Sequence, residues 1–234
     1  MELQVRRINL ENAVNMRDLG GYMRPDGKVT KFGQFLRSGN PSRLTEKEIE
    51  FLQNFGLKTV IDLRSDKEVD KEKSAFSEIS GINYFHIPMF DGGMKGFSNS
   101  FDNLGDLYAH TFEHATSYPA IFDTMAKNAE GTILFNCTAG KDRTGMTAAI
   151  LLLLAGVDSY DIVADYQVSF TYFSKIFAQT KEVHPDMPMH FAYSQPEWIE
   201  NFINLIENEG GIESFLKKKG VAAESIEILK NKLI

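Results

Sequence analysis

A lone cysteine followed six positions later by an arginine is the pair of residues best placed to do covalent chemistry. Cys137 is the one cysteine among 234 residues, and residues 137–145 read CTAGKDRTG, so that five residues separate Cys137 from Arg143. One cysteine cannot form an intramolecular disulfide or a multi-cysteine zinc site. Cys137 is therefore either a small buried side chain or a nucleophile, and its neighbours decide between the two.

The segment after Cys137 has the pattern of an anion-binding loop. Residues 132–136 predict a strand and residues 144–155 a buried helix, with a short loop between them. Such a loop turns its backbone N–H groups inward, and the helix dipole adds positive potential at the same point. Arg143 can grip a tetrahedral oxyanion at two points, and Gly140 lets the backbone come close to it. The predicted phosphate-binding residues are Thr138, Ala139, Gly140, Lys141, Asp142 and Arg143.

A thiol at the base of such a cup predicts phosphate chemistry. Positive potential favours the thiolate form of Cys137, which is the nucleophilic form. The thiolate would attack the phosphorus of a bound phosphate monoester, and water would later hydrolyse the phosphocysteine intermediate. Thr144 can donate a hydrogen bond to the thiolate, which helps it to leave in the second step. We therefore expect a phosphatase that binds a phosphate ion in this loop, with Cys137 and Arg143 as catalytic residues.

The same segment resembles the C-x5-R-[ST] loop of the cysteine-dependent protein tyrosine phosphatases, and more closely the AGKDRTG loop of their bacterial branch. Residues 15–21, 35–38, 61–64 and 156–166 are similar to other motifs of that branch. The resemblance implies a phosphatase α/β fold that needs no metal or other cofactor. It also implies activity on phosphotyrosine, and often on phosphoserine, phosphothreonine or phosphoinositides. A phosphorylated protein or a phospholipid headgroup is thus the expected partner.

One position departs from this family pattern. Asn136 stands directly before the nucleophile, where the phosphatase superfamily usually has histidine. An amide can still hydrogen-bond to a carbonyl group. We therefore expect Asn136 to brace the loop without taking part in the reaction.

The leaving oxygen needs a proton, normally from an aspartate, and three candidates stay open. Resemblance to the bacterial branch suggests Asp142, which lies inside the loop. Asp91 follows a strand predicted to end at Pro88, where tyrosine phosphatases generally place a mobile acid loop. Asp62 ends another predicted strand, at the edge of the sheet where α/β proteins place their sites. The alternative interpretation of Asp62 is a structural ion pair with a nearby arginine.

Lys141 has two interpretations. It is either a solvated loop residue or a second positive charge at the mouth of the pocket. The second interpretation favours multiply phosphorylated substrates or lipid headgroups, and it makes a phosphoinositide activity testable.

Three competing functions have weaker support in the sequence. A rhodanese-like sulfurtransferase also uses a cysteine between a strand and a helix, but its loops are typically shorter. A catalytically inactive phospho-binding module would fit the cup, although Cys137 and Arg143 are both intact. His110 and His114 belong to an H-x-x-E-H pattern that zinc proteases use, but so short a match arises easily by chance.

Strands and helices alternate along the chain, which predicts an α/β fold with a mostly parallel central sheet flanked by helices. Strands are predicted near residues 35–37, 59–64, 82–87 and 132–136. Helices are predicted at residues 45–56, where Thr45 and Glu48 form a capping box, at 103–127, where Pro119 must kink or split the helix, and at 144–155. Residues 157–234 are predicted to be mainly helical, as a C-terminal extension. Within it, aromatic-rich residues 166–198 either pack a small core or form a lid over the site. We expect one domain over residues 1–234.

Charge and hydropathy argue against nucleic acid as a partner and against a location in the membrane. Lys and Arg number 25 against 32 Asp and Glu, a formal net charge of −7, which argues against broad nucleic-acid binding. The longest apolar stretch, residues 148–155, is far short of the about 20 residues that cross a bilayer. The amino terminus has no leader pattern, so we expect no transmembrane segment and a cytoplasmic protein.

Overall fold

The computed structural model describes residues 5–90, 103–183 and 193–234. Its strands are β1 (Arg17–Asp18), β2 (Phe35–Ser38), β3 (Leu57–Asp62), β4 (Asn83–His86) and β5 (Thr132–Asn136). They form one sheet in the order β1-β2-β5-β3-β4, in which β1 is antiparallel to β2 and the other pairs are parallel. The predicted mostly parallel sheet flanked by helices is confirmed.

The carboxyl ends of the parallel strands meet at one edge of the sheet. Asn136 of β5 pairs with Ser38 of β2 on one side and with Asp62 of β3 on the other. Loops that follow these strands therefore lie side by side, which is where α/β sheets place their functional groups. The segment that begins at Cys137 leaves the middle strand of the sheet at this edge.

Helices cover both faces of the sheet. In chain order they are α1 (Glu46–Asn54), α2 (Asp66–Lys71), α3 (Leu104–His114), α4 (Tyr118–Lys127), α5 (Asp142–Leu154), α6 (Ser159–Val183), α7 (Pro196–Asn208), α8 (Ile212–Lys218) and α9 (Ala223–Leu233). The capping box of α1 is present: Thr45 Oγ1 accepts from the Glu48 N–H, and the Thr45 N–H donates to Glu48 Oε2 at 2.9 Å.

Side-chain alternation along the strands divides the core into two layers. Phe35 and Ile133 point into a large layer with α3, α4, α5 and the C-terminal helices. Leu36 and Leu134 point to the opposite face, where they pack with Leu52 of α1 and with other apolar side chains. Helix α5 is buried almost all round because the sheet lies on one side and the C-terminal helices on the other.

The predicted elements occur, with shifts at their ends. The helix predicted over residues 103–127 is split as expected: α3 ends at His114, and Pro119 lies in the first turn of α4. Helix α5 begins at Asp142, two residues earlier than predicted, so that Asp142 and Arg143 belong to its first turn. The short helix α2 lies between β3 and β4, a region for which no helix was predicted. Among the helices of the described ranges, none is long and apolar enough to cross a membrane.

Candidate active site

The loop after β5 is held at the carboxyl edge of the sheet, with Cys137 buried at its start. On one side it contacts the end of β2, where the Asn40 N–H donates to the Thr138 carbonyl at 3.0 Å. On the other side, the Leu63 N–H donates to the Asn136 carbonyl at 2.8 Å. The strand register thus places the cysteine between the chain segments that follow β2 and β3.

Carbonyl groups of the loop point away from its interior. The side-chain nitrogen of Asn15 donates to the Ala139 carbonyl at 3.2 Å and to the Gly140 carbonyl at 2.8 Å. Arg37 also donates to the Gly140 carbonyl, at 2.8 Å. Because a trans peptide holds its C=O and N–H in opposite directions, the next N–H groups along the chain face the other way. The predicted inward-facing amides are therefore consistent with the contacts of the loop.

Gly140 is required for a reason that the sequence did not show. Its φ is +67°, and a Cβ there would lie 2.4 Å from the Gly39 nitrogen and 2.5 Å from the Ser38 carbonyl carbon. Any other residue would clash with the backbone at the end of β2. The predicted reason was close approach to an anion, whereas these contacts come from the packing of the loop on the sheet.

Arg143 turns its two terminal nitrogens towards Glu68 of α2. Nη1 donates to Glu68 Oε2 at 2.6 Å and Nη2 to Oε1 at 2.9 Å. Glu68 also accepts from the Thr138 hydroxyl and, at 2.8 Å, from the Ser65 N–H at the start of α2. Burial raises the pKa of Glu68, but its hydrogen bonds with Arg143 and the charge of Arg143 outweigh this and hold the pKa well below its ordinary value. The fork that was expected to grip an oxyanion at two points is thus bound to a carboxylate.

Two buried donors that follow the cysteine loop keep no hydrogen-bond partner within the described ranges. They are Arg143 Nε and Thr144 Oγ1, both in the first turn of α5. Burial lowers the pKa of Arg143, but its hydrogen bond to Glu68 and the negative charge of Cys137 raise it above its ordinary value. Cys137 interacts electrostatically with Lys141 as well, so that the cysteine and both cations are neighbours. Buried donors usually have a partner, and two without one mark a place for an anion.

Asp142 is buried, and its carboxylate is hydrogen-bonded to the first of two linked tyrosine hydroxyls. The Tyr108 hydroxyl of α3 donates to Asp142 Oδ1 at 2.5 Å, and the Tyr166 hydroxyl of α6 lies 2.8 Å from that of Tyr108. Burial, with the nearby charge of Asp142, raises the pKa of both tyrosines well above the ordinary value. Both therefore stay protonated at neutral pH and able to donate.

Asp62 lies in a closed ion pair, which was the alternative interpretation of that residue. Arg64 binds it through Nη2 at 2.6 Å and through Nε at 2.9 Å, and both side chains are almost completely buried. The Tyr84 hydroxyl donates to the same carboxylate at 3.0 Å. The Asn136 amide nitrogen also donates to it, at 3.2 Å, and not to a loop carbonyl. The expectation that Asn136 braces the loop is therefore wrong, and Asn15 makes the contacts expected of it.

Lys141 is buried, so its interpretation as a solvated loop residue is wrong. Its ammonium group donates to the Tyr193 carbonyl at 2.8 Å and lies 5.8 Å from the centre of the Trp198 ring. Burial lowers the pKa of Lys141, although Asp142, 3.6 Å away, opposes this. The segment before α7 therefore lies against the loop. Residues 184–192 of the predicted lid, and the candidate acid Asp91, lie outside the described residues.

Sequence reasoning missed Glu68, Tyr108 and the role of Asn15. The spacing Ser65-x-x-Glu68 matches a capping box and could have revealed that Glu68 faces a helix start at the sheet edge. No local sequence pattern pointed to Tyr108, because Asp142, to which its hydroxyl donates, is 34 residues away along the chain. Asn15 belongs to residues 15–21, whose similarity to a motif of the bacterial branch did not indicate what its side chain does.

The two histidines of the H-x-x-E-H pattern lie next to each other along α3, with ring centres 4.4 Å apart and ring planes inclined at 52°. Over the described ranges, no group of three or more His, Cys, Asp or Glu side chains could hold a metal ion. The pattern therefore gains no support as a metal site.

Comparison with known proteins identifies the family through a family model and a relative more than 30% identical. A family model described as "Tyrosine phosphatase family" matches residues 8–234. A tyrosine-protein phosphatase of Nostoc commune is 31% identical over 216 residues, which are 85% of this chain and 74% of that protein. A triple specificity protein phosphatase, PtpB of Mycobacterium tuberculosis, is 27% identical over 189 residues, 67% of each chain. The solved structure of P. aeruginosa TpbA is 19% identical, with a TM-score of 0.38 over 58% of this chain and 68% of its own.

Proposed function

This chain belongs to the tyrosine phosphatase family, and we propose that it hydrolyses phosphate monoesters through a phosphocysteine intermediate on Cys137. The observation that carries this proposal is the pair of buried, unpartnered donors in the first turn of α5, Arg143 Nε and Thr144 Oγ1. A phosphoryl oxygen bound over Cys137 would accept a hydrogen bond from Arg143 Nε. The Cys137 thiolate would accept one from the Thr144 hydroxyl.

In the first step the Cys137 thiolate attacks the phosphorus, and the bond from phosphorus to the ester oxygen breaks. The inward N–H groups of the loop and Arg143 stabilise the charge on the phosphoryl oxygens. Asp142 gives its proton to the leaving oxygen. Glu68 binds both terminal nitrogens of Arg143, so the guanidinium plane is held and the Nε–H bond keeps the same orientation through both steps of the reaction. Such fixed donors need no reorganisation during the reaction.

In the second step a water molecule attacks the phosphorus of phosphocysteine. Asp142, now a carboxylate, takes a proton from this water, and the P–S bond breaks. The hydroxyl of Thr144 donates to the sulfur as it leaves with the bonding electrons. Inorganic phosphate and the thiolate are the products, so that atoms and charge balance without any co-reactant.

Asp142 is the general acid that the surroundings support best. It lies in the first turn of α5 next to Arg143, and Tyr108 holds its carboxyl group in place. Asp62 is less suited, because the acceptor atoms of its carboxylate are already taken up by Arg64, Tyr84 and Asn136. The loop is also braced on both of its flanks, which suits a rigid anion cup.

Phosphotyrosine is the proposed substrate, with phosphoserine, phosphothreonine and phosphoinositides as candidates to be tested beside it. The relative from M. tuberculosis is named as a triple specificity phosphatase. Lys141, the cation that would favour a multiply phosphorylated headgroup, is covered by Tyr193 and Trp198. Phosphate release should be measured side by side from the three phosphopeptides and from inositol phospholipids. Activity on peptides alone would remove the lipid headgroup as a substrate.

Cys137→Ser tests the mechanism directly. We expect turnover of p-nitrophenyl phosphate to fall to background, because a serine hydroxyl is a far weaker nucleophile than a thiolate, while inorganic phosphate still binds. Acid quenching of the wild-type reaction, followed by mass spectrometry, should find phosphate on the peptide that contains Cys137. Substantial turnover by Cys137→Ser would contradict the covalent mechanism.

The family favours this function over a sulfurtransferase. An inactive phospho-binding module predicts a different outcome of the same assay. In that case the wild-type chain would bind phosphate but would release none from any ester in the panel.

A further inference from the structure

A buried polar network contacts the backbone of the loop. It consists of Asn15, which precedes β1, Arg17 in β1, Arg37 in β2 and Asp165 in α6, each less than 5% exposed. The proposed chemistry gives none of these side chains a role. Three separate elements therefore send buried polar groups to one place.

The network is connected to the loop through two carbonyl groups. Asn15 Nδ2 donates to the carbonyls of Ala139 and Gly140, and Arg37 Nη2 donates to that of Gly140. All peptide bonds in the described ranges are trans. The N–H groups of Gly140 and Lys141 share their peptide planes with these two carbonyls, so they point in the opposite direction, into the cup. Anchoring the carbonyls thus fixes the direction of the amides.

The orientation of the Asn15 side chain is set by Arg17. Arg17 Nη1 donates to the Asn15 carbonyl at 3.1 Å and also to its side-chain oxygen. Since Oδ1 accepts from a guanidinium group, Nδ2 must be the atom that faces the loop. Asn15 also has a φ of +62°, the one positive value for a residue other than glycine over the described ranges. Such a conformation persists where its surroundings impose it.

The charges of the network are held by one carboxylate. Arg17 Nε donates to Asp165 Oδ1 at 2.7 Å, and Arg37 Nη1 donates to Oδ2. Burial raises the pKa of Asp165, but the two guanidinium groups outweigh it and hold the pKa well below its ordinary value. Arg17 and Arg37 together with Asp165 give the network a net charge of +1 next to the loop. That charge is of the sign that favours a phosphate dianion in the cup.

We infer that Asn15 and Arg37 are positioning residues for phosphate binding, which hold the Ala139 and Gly140 carbonyls away so that the N–H groups of Gly140 and Lys141 face the substrate. Asp165 in turn fixes Arg37 and, through Arg17, Asn15. This inference rests on the proposed function, since it assigns the amides of the loop to a bound phosphoryl group.

Asn15→Asp is the sharpest variant, because it is nearly isosteric. It keeps the oxygen that accepts from Arg17 and tolerates a positive φ, but it replaces the donor to the loop with a second oxygen. Arg37→Lys is the second variant: one ammonium group keeps the charge next to Asp165 but cannot span both Asp165 and Gly140. Thr132→Val is the matched control, since it removes another buried side-chain bond to a carbonyl, 2.6 Å long, at the opposite end of β5.

Each variant should be made in the Cys137→Ser background and titrated with inorganic phosphate by calorimetry. We expect Asn15→Asp and Arg37→Lys to weaken phosphate binding by about ten- to hundredfold, the range for losing hydrogen bonds to a charged group. Amide NMR gives a signature that a purely structural role would not produce. Phosphate should shift the Gly140 and Lys141 N–H resonances in the parent and in Thr132→Val, but much less in the two variants.

Thermal unfolding separates misfolding from misplacement of the loop. If Asn15→Asp does not fold, Arg37→Lys, which keeps the ion pair, carries the test. A folded variant with unchanged phosphate affinity and unchanged amide shifts would overturn the inference alone. If the parent Cys137→Ser chain binds no phosphate and the wild type hydrolyses no ester, the proposed function fails, and the inference fails with it.

Discussion

At the scale of single residues, two described aspartates near the loop differ in what surrounds them. Asp142 accepts a hydrogen bond from Tyr108 and lies 3.6 Å from the Lys141 ammonium group. The Asp62 carboxylate is bound by the Arg64 side chain, whose Nη2 and Nε atoms together donate three hydrogen bonds to it. A proton donor must be able to reach the leaving oxygen, and an aspartate already committed to a guanidinium cannot easily do so.

Asp142→Asn should therefore slow the enzyme in a way that depends on the leaving group. Hydrolysis of a phosphotyrosine peptide should lose about 10²–10⁴-fold in kcat, because its phenolate needs a proton. p-Nitrophenyl phosphate should lose much less, since p-nitrophenolate leaves without help. The measurement is kcat for both substrates under the same conditions.

Asp62→Asn is the control for this prediction. It breaks a buried ion pair, so it should lower the free energy of unfolding without changing the ratio of the two kcat values. Equal losses on both substrates for Asp142→Asn, or leaving-group dependence in Asp62→Asn, would show that Asp142 is not the acid.

At the scale of elements, the turn from β5 into α5 depends on the absence of a side chain at Gly140. The backbone of Gly39 and Ser38 occupies the place where a Cβ would be. Gly27 offers a matched comparison, because its φ of +77° is similar and nothing lies within 4 Å of the corresponding Cβ position.

Gly27→Ala should lower the free energy of unfolding by about 1–2 kcal/mol, the cost of a left-handed conformation. Gly140→Ala should lower the free energy of unfolding by that amount and by a further ~1–3 kcal/mol, because the new Cβ clashes with the backbone. It should also abolish phosphate hydrolysis. Urea unfolding of both variants measures the difference. Equal destabilisation by the two substitutions would mean that the loop can move away from β2.

Asp18, the last residue of β1, carries a buried carboxyl group that accepts from the N–H groups of Gly20 at 2.8 Å and Gly33 at 2.7 Å. Burial raises the pKa of Asp18 to about 6, although these two N–H groups lower it. The folded protein therefore keeps this proton up to about pH 6, while the unfolded chain releases it near 3.8. Where the folded state binds more protons, stability falls as pH rises, here between about pH 4 and 6.

Asp18→Asn should flatten this part of the stability curve, because an amide does not titrate. Its stability should also be lower at acidic pH, since the amide can accept only one of the two N–H groups. Urea midpoints at several pH values between 4 and 7 provide the measurement, with Asp26→Asn, on an exposed turn, as the control. A slope in Asp18→Asn equal to that of the wild type would contradict the assignment.

At the scale of the whole molecule, the C-terminal helices share the core that supports the loop. Ile203 of α7, Leu216 of α8 and Leu229 of α9 belong to the same buried cluster as Phe135 of β5 and Met146 of α5. Lys232 adds polar contacts at the end of α9, where it donates to the carbonyls of Ala129 and Gly131. Such packing is what the prediction of a single domain requires.

Leu229→Ala should lower the free energy of unfolding by about 2–5 kcal/mol, as for other large-to-small changes in a core. The lone tryptophan, Trp198 in α7, and far-UV circular dichroism should report one coincident transition. Glu227→Ala, on the exposed side of the same helix, should change little. Two separate transitions would show that the C-terminal helices unfold as a unit of their own, against the prediction of one domain.

Local patterns in the sequence were sufficient for most of the fold. The run 132–136 predicts β5 because its apolar residues are continuous, and the capping box of Thr45 and Glu48 predicts the start of α1, as the structure confirms. Helix starts that depend on tertiary contacts were less predictable. Helix α5 begins at Asp142 without a side-chain cap at Lys141, so no local capping signal marks its first turn.

The sequence by itself determined the chemistry that is possible: one cysteine, an arginine six positions later, and a glycine-containing loop between a strand and a helix. Only the tertiary structure decided how that loop is held. Glu68 turns the Arg143 fork, Asn15 and Arg37 orient the carbonyls, and each comes from an element distant along the chain. The physical reason is that a hydrogen bond depends on distance and direction in space, which sheet register and helix packing set and residue spacing does not.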